Sequence, residues 1–454
     1  MRAIVDISDL APGGEGVARA EDGRAVFVPF TAPGDRVTVE LSASDLRGAT
    51  PPRAALHAPL VELLHPGPAR VAPPCRHFGP LAAGEDERGC GGCEWLHLGY
   101  EAQLAAKERA LAETLRRIGK LEPGSYCAPP VLPSPSPLRY RSRAKFHLDR
   151  GTGRLVFFRR RSHEPVQLRE CHLLEPELDA LREAAGPALV AARLDAREVT
   201  LEWSRHERRG SAHLRLAALG GSTAARAEAL LAAVPALSGL VLTADGASSA
   251  VVERPVLRHE RRPGARAAGL ARSRPDVFQQ ANRGANALLV DAALALLRPD
   301  GEDVLELFCG AGNFTGPLAA RARTVAAVEG QGPALDLARA DLAEPAGGGA
   351  ARNVRFFAGD ALALARAFAR ESGPGARRFG AALLDPPREG ARGVGAALRD
   401  LGVPRAVYVS CDPATFARDL RACGEAGYRV ETVQAVDMFP QTHHVEAIAL
   451  LVKS

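Results

Sequence analysis

Residues 304–314 read VLELFCGAGNF. Val304 to Leu307 form a short, largely apolar run of the kind that makes a buried strand. Gly310 and Gly312 follow at once. Glycine lets a backbone turn tightly and approach a ligand closely, so a strand running into Gly-x-Gly before a helix marks the opening of a ligand-binding α/β unit.

The flanking sequence extends this unit. DVLELF, TVAAVE, VRFFAG, GAALLDPP, RAVYVSC, YRVETVQAVDMF and AIALLVK read as strands, with helical stretches between most of them. That alternation predicts a doubly wound, mainly parallel α/β sheet over residues 266–454. Glu329 stands at the end of the second strand, Asp360 after the third and Asp385 after the fourth. Such sheets bind ligands at the carboxyl ends of their strands, and an acid in the position of Glu329 can accept hydrogen bonds from ribose hydroxyls. A dinucleotide fingerprint would carry a third glycine, where this chain has Thr315. That favours an adenosyl cofactor without a pyrophosphate, and S-adenosylmethionine fits.

VYVSCDP, residues 407–413, places Cys411 at the end of the next strand. Near the C-terminus Glu446 lies between polar histidines and an apolar strand. A thiolate nucleophile and a carboxylate base form the pair that covalent catalysis on a poorly nucleophilic carbon needs. The plainer readings are a packed thiol and a strand-start carboxylate paired with His443 or an arginine.

The chain has 454 residues, 46% of them hydrophobic, which suits a soluble protein of roughly three domains. No long apolar run suggests a membrane span. The N-terminus lacks the apolar core of a signal peptide. We therefore expect a cytoplasmic protein, monomeric, with cysteines outside a disulfide framework. The net charge of +5 hints at a polyanionic partner. Only four of the 58 basic residues are lysine, so arginine abundance by itself reflects composition more than binding.

Residues 1–60 hold short β-prone runs separated by Gly, Pro and Asp turns, as in a small all-β barrel. Residues 70–265 form a central region. It opens with CRHFGPLAAGEDERGCGGCEWLHLGY (75–100), in which Cys90 and Cys93 form a C-x-x-C pair after Cys75. An amphipathic helix follows, and then an extended LPSPSP. Residues 139–171 read as strands with a net charge of +7 and interleaved Tyr140, Phe146, Phe157 and Phe158. Cations and aromatic faces on a sheet suit RNA, and a solvated basic face over an aromatic core suits the pattern equally. RRPGARAAGLARSRP (261–275) reads as a linker.

FQQAN, ELFCGAGNF, DPPREG, VYVSCDPATFARDL and MFPQTHHVE occur in the order found in RNA 5-methyluridine methyltransferases, and the chain resembles that family along nearly its whole length. GGEGVARAEDGRAVFVPFTAPGDRV is similar to the TRAM RNA-binding barrel, and the cysteine cluster to the iron–sulfur segment of the ribosomal RNA branch. The resemblance implies S-adenosylmethionine-dependent methylation of uracil C5, with Cys411 attacking C6 and Glu446 removing the C5 proton. It also implies a cofactor site lined by Gln280, Phe308, Glu329, Asp360 and Asp385 with Asn313 close by, and Asp385 reaching the target base.

The family's fourth cysteine falls at Cys171. Four thiolates fit a [4Fe–4S] cluster or zinc, and the resemblance favours iron–sulfur. The loop between Cys75 and Cys90 is longer than usual for the family, and Cys127 is a weaker substitute ligand. Cys309 and Cys423 read as packing residues. The partner implied is RNA, ribosomal before transfer RNA, with no membrane. The alternatives are a methyltransferase for an exocyclic amine or another base carbon, which would need no Cys411, and a non-catalytic RNA-binding iron–sulfur protein.

Overall fold

The computed structural model describes residues 2–42, 55–80, 88–244, 249–261, 269–343, 352–371 and 377–454. Residues 81–87 of the long loop between Cys75 and Cys90, and residues 262–268 of the expected 261–275 linker, lie outside the described residues.

Near the N-terminus, Arg2–Asp6, Arg36–Glu40 and Leu60–His65 form one small sheet. Asp9–Leu10, Gly16–Arg19, Ala25–Val28 and Leu56–His57 form a second. Alternate residues such as Val26, Val28, Val37 and Val39 point inward and are fully buried, as period-two patterning requires. The last barrel strand ends at His65, slightly beyond the expected residue 60.

The central region is built on a seven-stranded sheet. It includes the basic strands Arg143–Asp149 and Arg154–Phe158, which pair antiparallel. The aromatic residues there pack inward more than expected. Phe146 is fully buried and stacks on Phe157 at 5.0 Å, and buried Tyr140 donates its hydroxyl to the Pro440 carbonyl at 3.0 Å. These rings therefore serve the core, while Lys145, Arg150 and Arg161 remain exposed.

Seven strands form the C-terminal sheet. In spatial order they are Val354–Ala358, Thr324–Glu329, Asp303–Leu307, Ala381–Leu384, Arg405–Ser410, Glu446–Lys453 and Tyr428–Val436. The first five run parallel, and the last two pair antiparallel. Helices cover both faces, so strands such as AALL (381–384) are buried at every position. The order reverses between Asp303–Leu307 and Ala381–Leu384, which opens a crevice at their carboxyl ends.

Two features depart from a simple division into consecutive segments. The helix Tyr100–Thr114 follows the cysteine motif, yet Leu111, Leu115 and Val131 join the core of the C-terminal sheet with Tyr408, Phe416 and Leu420. The expected linker 261–275 contains the strand Leu270–Ser273, paired with Leu257–Glu260. Its main-chain hydrogen bonds are thus satisfied in a ribbon rather than by water.

Candidate active site

The strand Asp303–Leu307 ends in a strained turn. Phe308 has φ of 62°, unusual for a bulky residue. Gly310 and Gly312 have φ of 54° and 87°, and a Cβ on Gly312 would approach Ala338 to 3.3 Å. Glu329, at the end of the neighbouring strand, accepts N–H groups from Gly310 at 2.8 Å and from Gln331 at 2.7 Å. The acid and the glycine turn are therefore one unit.

The other expected cofactor residues are placed less uniformly. Gln280 and Phe308 are half-buried. Asn313 exchanges two hydrogen bonds with Asn286, at 2.8 and 3.0 Å, so its amide clasps the loop to a helix. Asp360 is exposed and caps the helix Ala361–Ala369 by accepting the Ala363 N–H at 2.7 Å. One of its oxygens is thus committed to helix capping.

Cys411 follows the strand Arg405–Ser410, where Ser410 pairs with Ala447. One step further along this antiparallel ladder, Cys411 and Glu446 become neighbours. Asp385 directly follows the adjoining parallel strand, whose last residue, Leu384, pairs with Tyr408. Asp412 is the N-cap of the helix Pro413–Glu425 and accepts the Thr415 N–H at 2.8 Å, with Pro413 in the first turn. The thiol therefore stands at the positive end of a helix.

Burial pushes the Cys411 thiol up to about 11; the carboxylates of Glu446 and Asp385 act in the same direction, and the Arg388 guanidinium opposes them. Burial and the Asp385 charge hold Glu446 well above the ordinary carboxylate range. Asp385 is raised too, again by burial. Glu446 is 1% exposed, and one of its oxygens has no hydrogen-bond partner among the described residues. A thiol, an unpaired carboxyl group, a second acid and a cation thus meet beside the glycine turn.

Two charged residues of this region, Arg388 and Glu306, are absent from the sequence reading. Arg388 lies in DPPREG, three residues after Asp385, but its orientation toward Cys411 comes only from the fold. Glu306 lies within VLELF and is fully buried. Both its oxygens, and the nearby Thr315 hydroxyl, lack partners among the described residues. Burial pushes Glu306 up to about 8, with Asp385 and Glu329 adding to the effect and Thr315 and Arg261 opposing it. An acid inside an otherwise apolar strand was the available signal, because burying a charge is costly without a partner. Cys309 and Cys423 are buried, and Cys127 is exposed beside the edge strand.

Cys75, Cys90, Cys93 and Cys171 line a single cavity of about 310 Å³, together with Phe78, Phe157 and Arg141. Burial raises all four thiols, Cys90 to about 12. Among the described residues, no three His, Cys, Asp or Glu side chains are grouped tightly enough to hold a single metal ion. The thiols surround a space instead of converging on a point. Arg141 faces them, and its Nε has no partner among the described residues.

The tRNA (uracil-5-)-methyltransferase family model matches residues 264–454, and the TRAM domain model matches residues 4–45. The chain is 35% identical to the 23S rRNA (uracil(1939)-C(5))-methyltransferase of Alkalilimnicola ehrlichii, covering 98% of this chain and 95% of the relative. It is 36% identical to the protein of the same description in Pseudomonas putida, covering 98% and 92%. The chain belongs to the RNA uracil-C5 methyltransferase family.

The fold agrees with this assignment. The crystal structure of the Pyrococcus abyssi tRNA (uracil-54, C5)-methyltransferase with S-adenosyl-L-homocysteine superposes with a TM-score of 0.69 at 21% identity, covering 100% of this chain and 99% of that one. As a member of the uracil-C5 methyltransferase family, the protein is an S-adenosylmethionine-dependent enzyme acting on RNA, with an N-terminal TRAM domain. No helix among the described residues is long and apolar enough to cross a membrane.

Proposed function

We propose that this methyltransferase modifies a uridine of large-subunit ribosomal RNA through a covalent adduct at Cys411. In this reading the Cys411 sulfur bonds to uracil C6, and the electron pair of the C5–C6 bond moves toward C5. The resulting enolate takes the methyl group from the cofactor sulfonium, which departs as S-adenosylhomocysteine. Glu446 then accepts the C5 proton, and the returning electron pair expels the Cys411 thiolate. The adduct is what makes C5 nucleophilic enough to be methylated.

The observation that carries this reading is the convergence of Cys411, Glu446, Asp385 and Arg388 at one end of the cofactor sheet. One Glu446 oxygen has no hydrogen-bond partner among the described residues, which leaves it open to take a proton from substrate. Arg388 and the helix N-terminus favour the thiolate. In this reading Asp385 reaches the uracil edge, and Gln280, Phe308, Gly310, Gly312, Asn313, Glu329 and Asp360 border the adenosyl site. Full-length relatives of the 23S rRNA type favour ribosomal over transfer RNA, and hence action in the cytoplasm.

Cys75, Cys90, Cys93 and Cys171 would hold the metal group. A zinc ion draws four sulfurs to about 2.3 Å from one point, whereas a [4Fe–4S] cluster separates them around a volume. The cavity between these thiols fits the cluster, and Arg141 supplies a cation beside its anionic charge. When bound, such a cluster would act as a structural crosslink, because methyl transfer moves no net electron. The division into a barrel at 1–60, a central domain at 70–265 and a methyltransferase domain at 266–454 belongs to the same proposal.

The test is mass-spectrometric mapping of 5-methyluridine in RNA from cells lacking this chain. One site in large-subunit ribosomal RNA should lose its methyl group. The native chain should restore it, and Cys411→Ala should not. Loss confined to transfer RNA would overturn the substrate reading.

A further inference from the structure

The loop between Tyr428–Val436 and Glu446–Lys453 delivers Glu446 to the active site, and much of its support comes from residues distant in sequence. Gln441, at its centre, has φ of 70°, a left-handed conformation that a non-glycine residue holds only when its surroundings enforce it. The enforcing contacts come from the segment after the C-x-x-C pair. Glu94 and Trp95 both donate their backbone N–H groups to the Gln441 carbonyl at 3.0 Å. Gln103, fully buried, accepts the Gln441 N–H at 2.9 Å and donates to the Gln441 side-chain oxygen at 2.8 Å.

One helical turn further along the same face, Lys107 donates to the Asp437 carboxylate at 2.5 Å and to the Phe439 carbonyl at 3.0 Å. Lys107 and Asp437 are both fully buried. Thr442 and His444, on the same loop, line the cysteine cavity, and Glu94 faces His443 at 3.6 Å. The loop is thus bonded to the cysteine segment at its start and middle, and faces it at its end.

We propose that the segment Cys90–Lys107 is the positioning frame for Glu446, and that Gln103 and Gln441 act as positioning residues for adduct resolution. This rests on Glu446 being the proton acceptor. Carbon–sulfur and carbon–methyl bond formation depend on Cys411 and the cofactor. The later loss of the C5 proton, and the carbon–sulfur cleavage it permits, require Glu446 in direct contact, whereas the Cys411 thiol feels Glu446 only as a background charge. A displaced frame therefore leaves adduct formation intact and delays its breakdown.

The experiment uses full-length, metal-loaded protein, a ribosomal RNA fragment containing the target uridine, and methyl-labelled S-adenosylmethionine. Labelled protein–RNA adduct is followed over time on denaturing gels. Gln103→Met removes both clasping bonds at nearly constant volume. Gln441→Gly relaxes the left-handed residue and removes the side-chain half of the clasp, leaving the backbone N–H bond to Gln103 in place. Each should form adduct within about threefold of the native rate and resolve it at least ~10-fold more slowly, the scale set by losing a buried hydrogen-bonded contact.

Glu446→Gln is the reference and should accumulate adduct to the greatest extent. If it accumulates none, the assignment of Glu446 falls, and this inference with it. If it does accumulate adduct while the frame variants resolve at the native rate, only the positioning inference is overturned. Equal slowing of both steps would also overturn it. Should Gln103→Met not fold, Gln441→Gly decides the matter alone.

Discussion

The carboxylate of Glu329 accepts the Gly310 N–H at 2.8 Å, so the acid ending one strand fixes the glycine turn ending its neighbour. Glu329→Ala would remove the proposed ribose acceptor and release the turn together. A hydrogen bond to a charged group contributes about 1.5–3 kcal/mol. Affinity for S-adenosylhomocysteine should fall by about 10- to 100-fold in titration calorimetry, and the melting temperature of the free enzyme should fall by about a few degrees. Unchanged affinity would remove Glu329 from the cofactor site.

Glu306 gives stability a pH dependence. Its folded value of about 8 lies above the ordinary 4.5, so the native state binds one proton more than the unfolded state between those limits. Its contribution is fully present below about pH 4.5 and is lost as pH rises toward 8, at up to ~1.4 kcal/mol per unit. Asp385, Glu329 and Arg261 surround the group and modulate this slope. Glu306→Gln should flatten it, making the variant relatively more stable at pH 8 than at pH 5. Urea unfolding across that range measures the difference.

Arg388 lowers the Cys411 thiol against burial, Glu446 and Asp385. Since the thiolate is the nucleophile, adduct formation should accelerate by up to about tenfold per pH unit below the thiol's pKa. Arg388→Met should slow adduct formation near pH 8 and displace the whole profile upward. Arg388→Lys should restore part of the rate. Single-turnover adduct formation from pH 6.5 to 9.5 checks this, and identical profiles would exclude the guanidinium from activation.

Cys93 and Cys171 stand on separate segments facing one cavity. Aerobically intact protein should contain about four irons per chain. Cys93→Ser or Cys171→Ser should remove most of them, whereas Cys127→Ser should not. Iron and zinc analysis distinguishes the cluster from a single zinc.

Sequence periodicity exposed much of the C-terminal sheet, because parallel strands covered on both faces carry apolar runs that end in turn residues. It exposed Cys411 and Glu446 because polar groups at strand ends stand out against those runs. It did not expose the Cys411–Arg388 relationship, which joins the ends of neighbouring strands. Tyr140 and Phe146 illustrate the opposite limit. An aromatic residue in a basic strand has the same sequence whether its ring faces nucleotide or core, and here both rings face inward. Gln103 and Lys107 were hidden within an ordinary amphipathic helix, since nothing local indicates that its polar positions meet a loop more than 300 residues away.

Leu111, Leu115 and Val131 complete the interior around Tyr408 and Phe416. This gives synthesis of the chain a direction. The helix leaves the ribosome long before the strands it covers, and its apolar face must wait for them. A fragment starting near residue 264 would carry the full family signature but expose the seat of that helix. Supplying residues 100–133 as a separate peptide should solubilise such a fragment, making the enzyme a candidate for split-protein complementation.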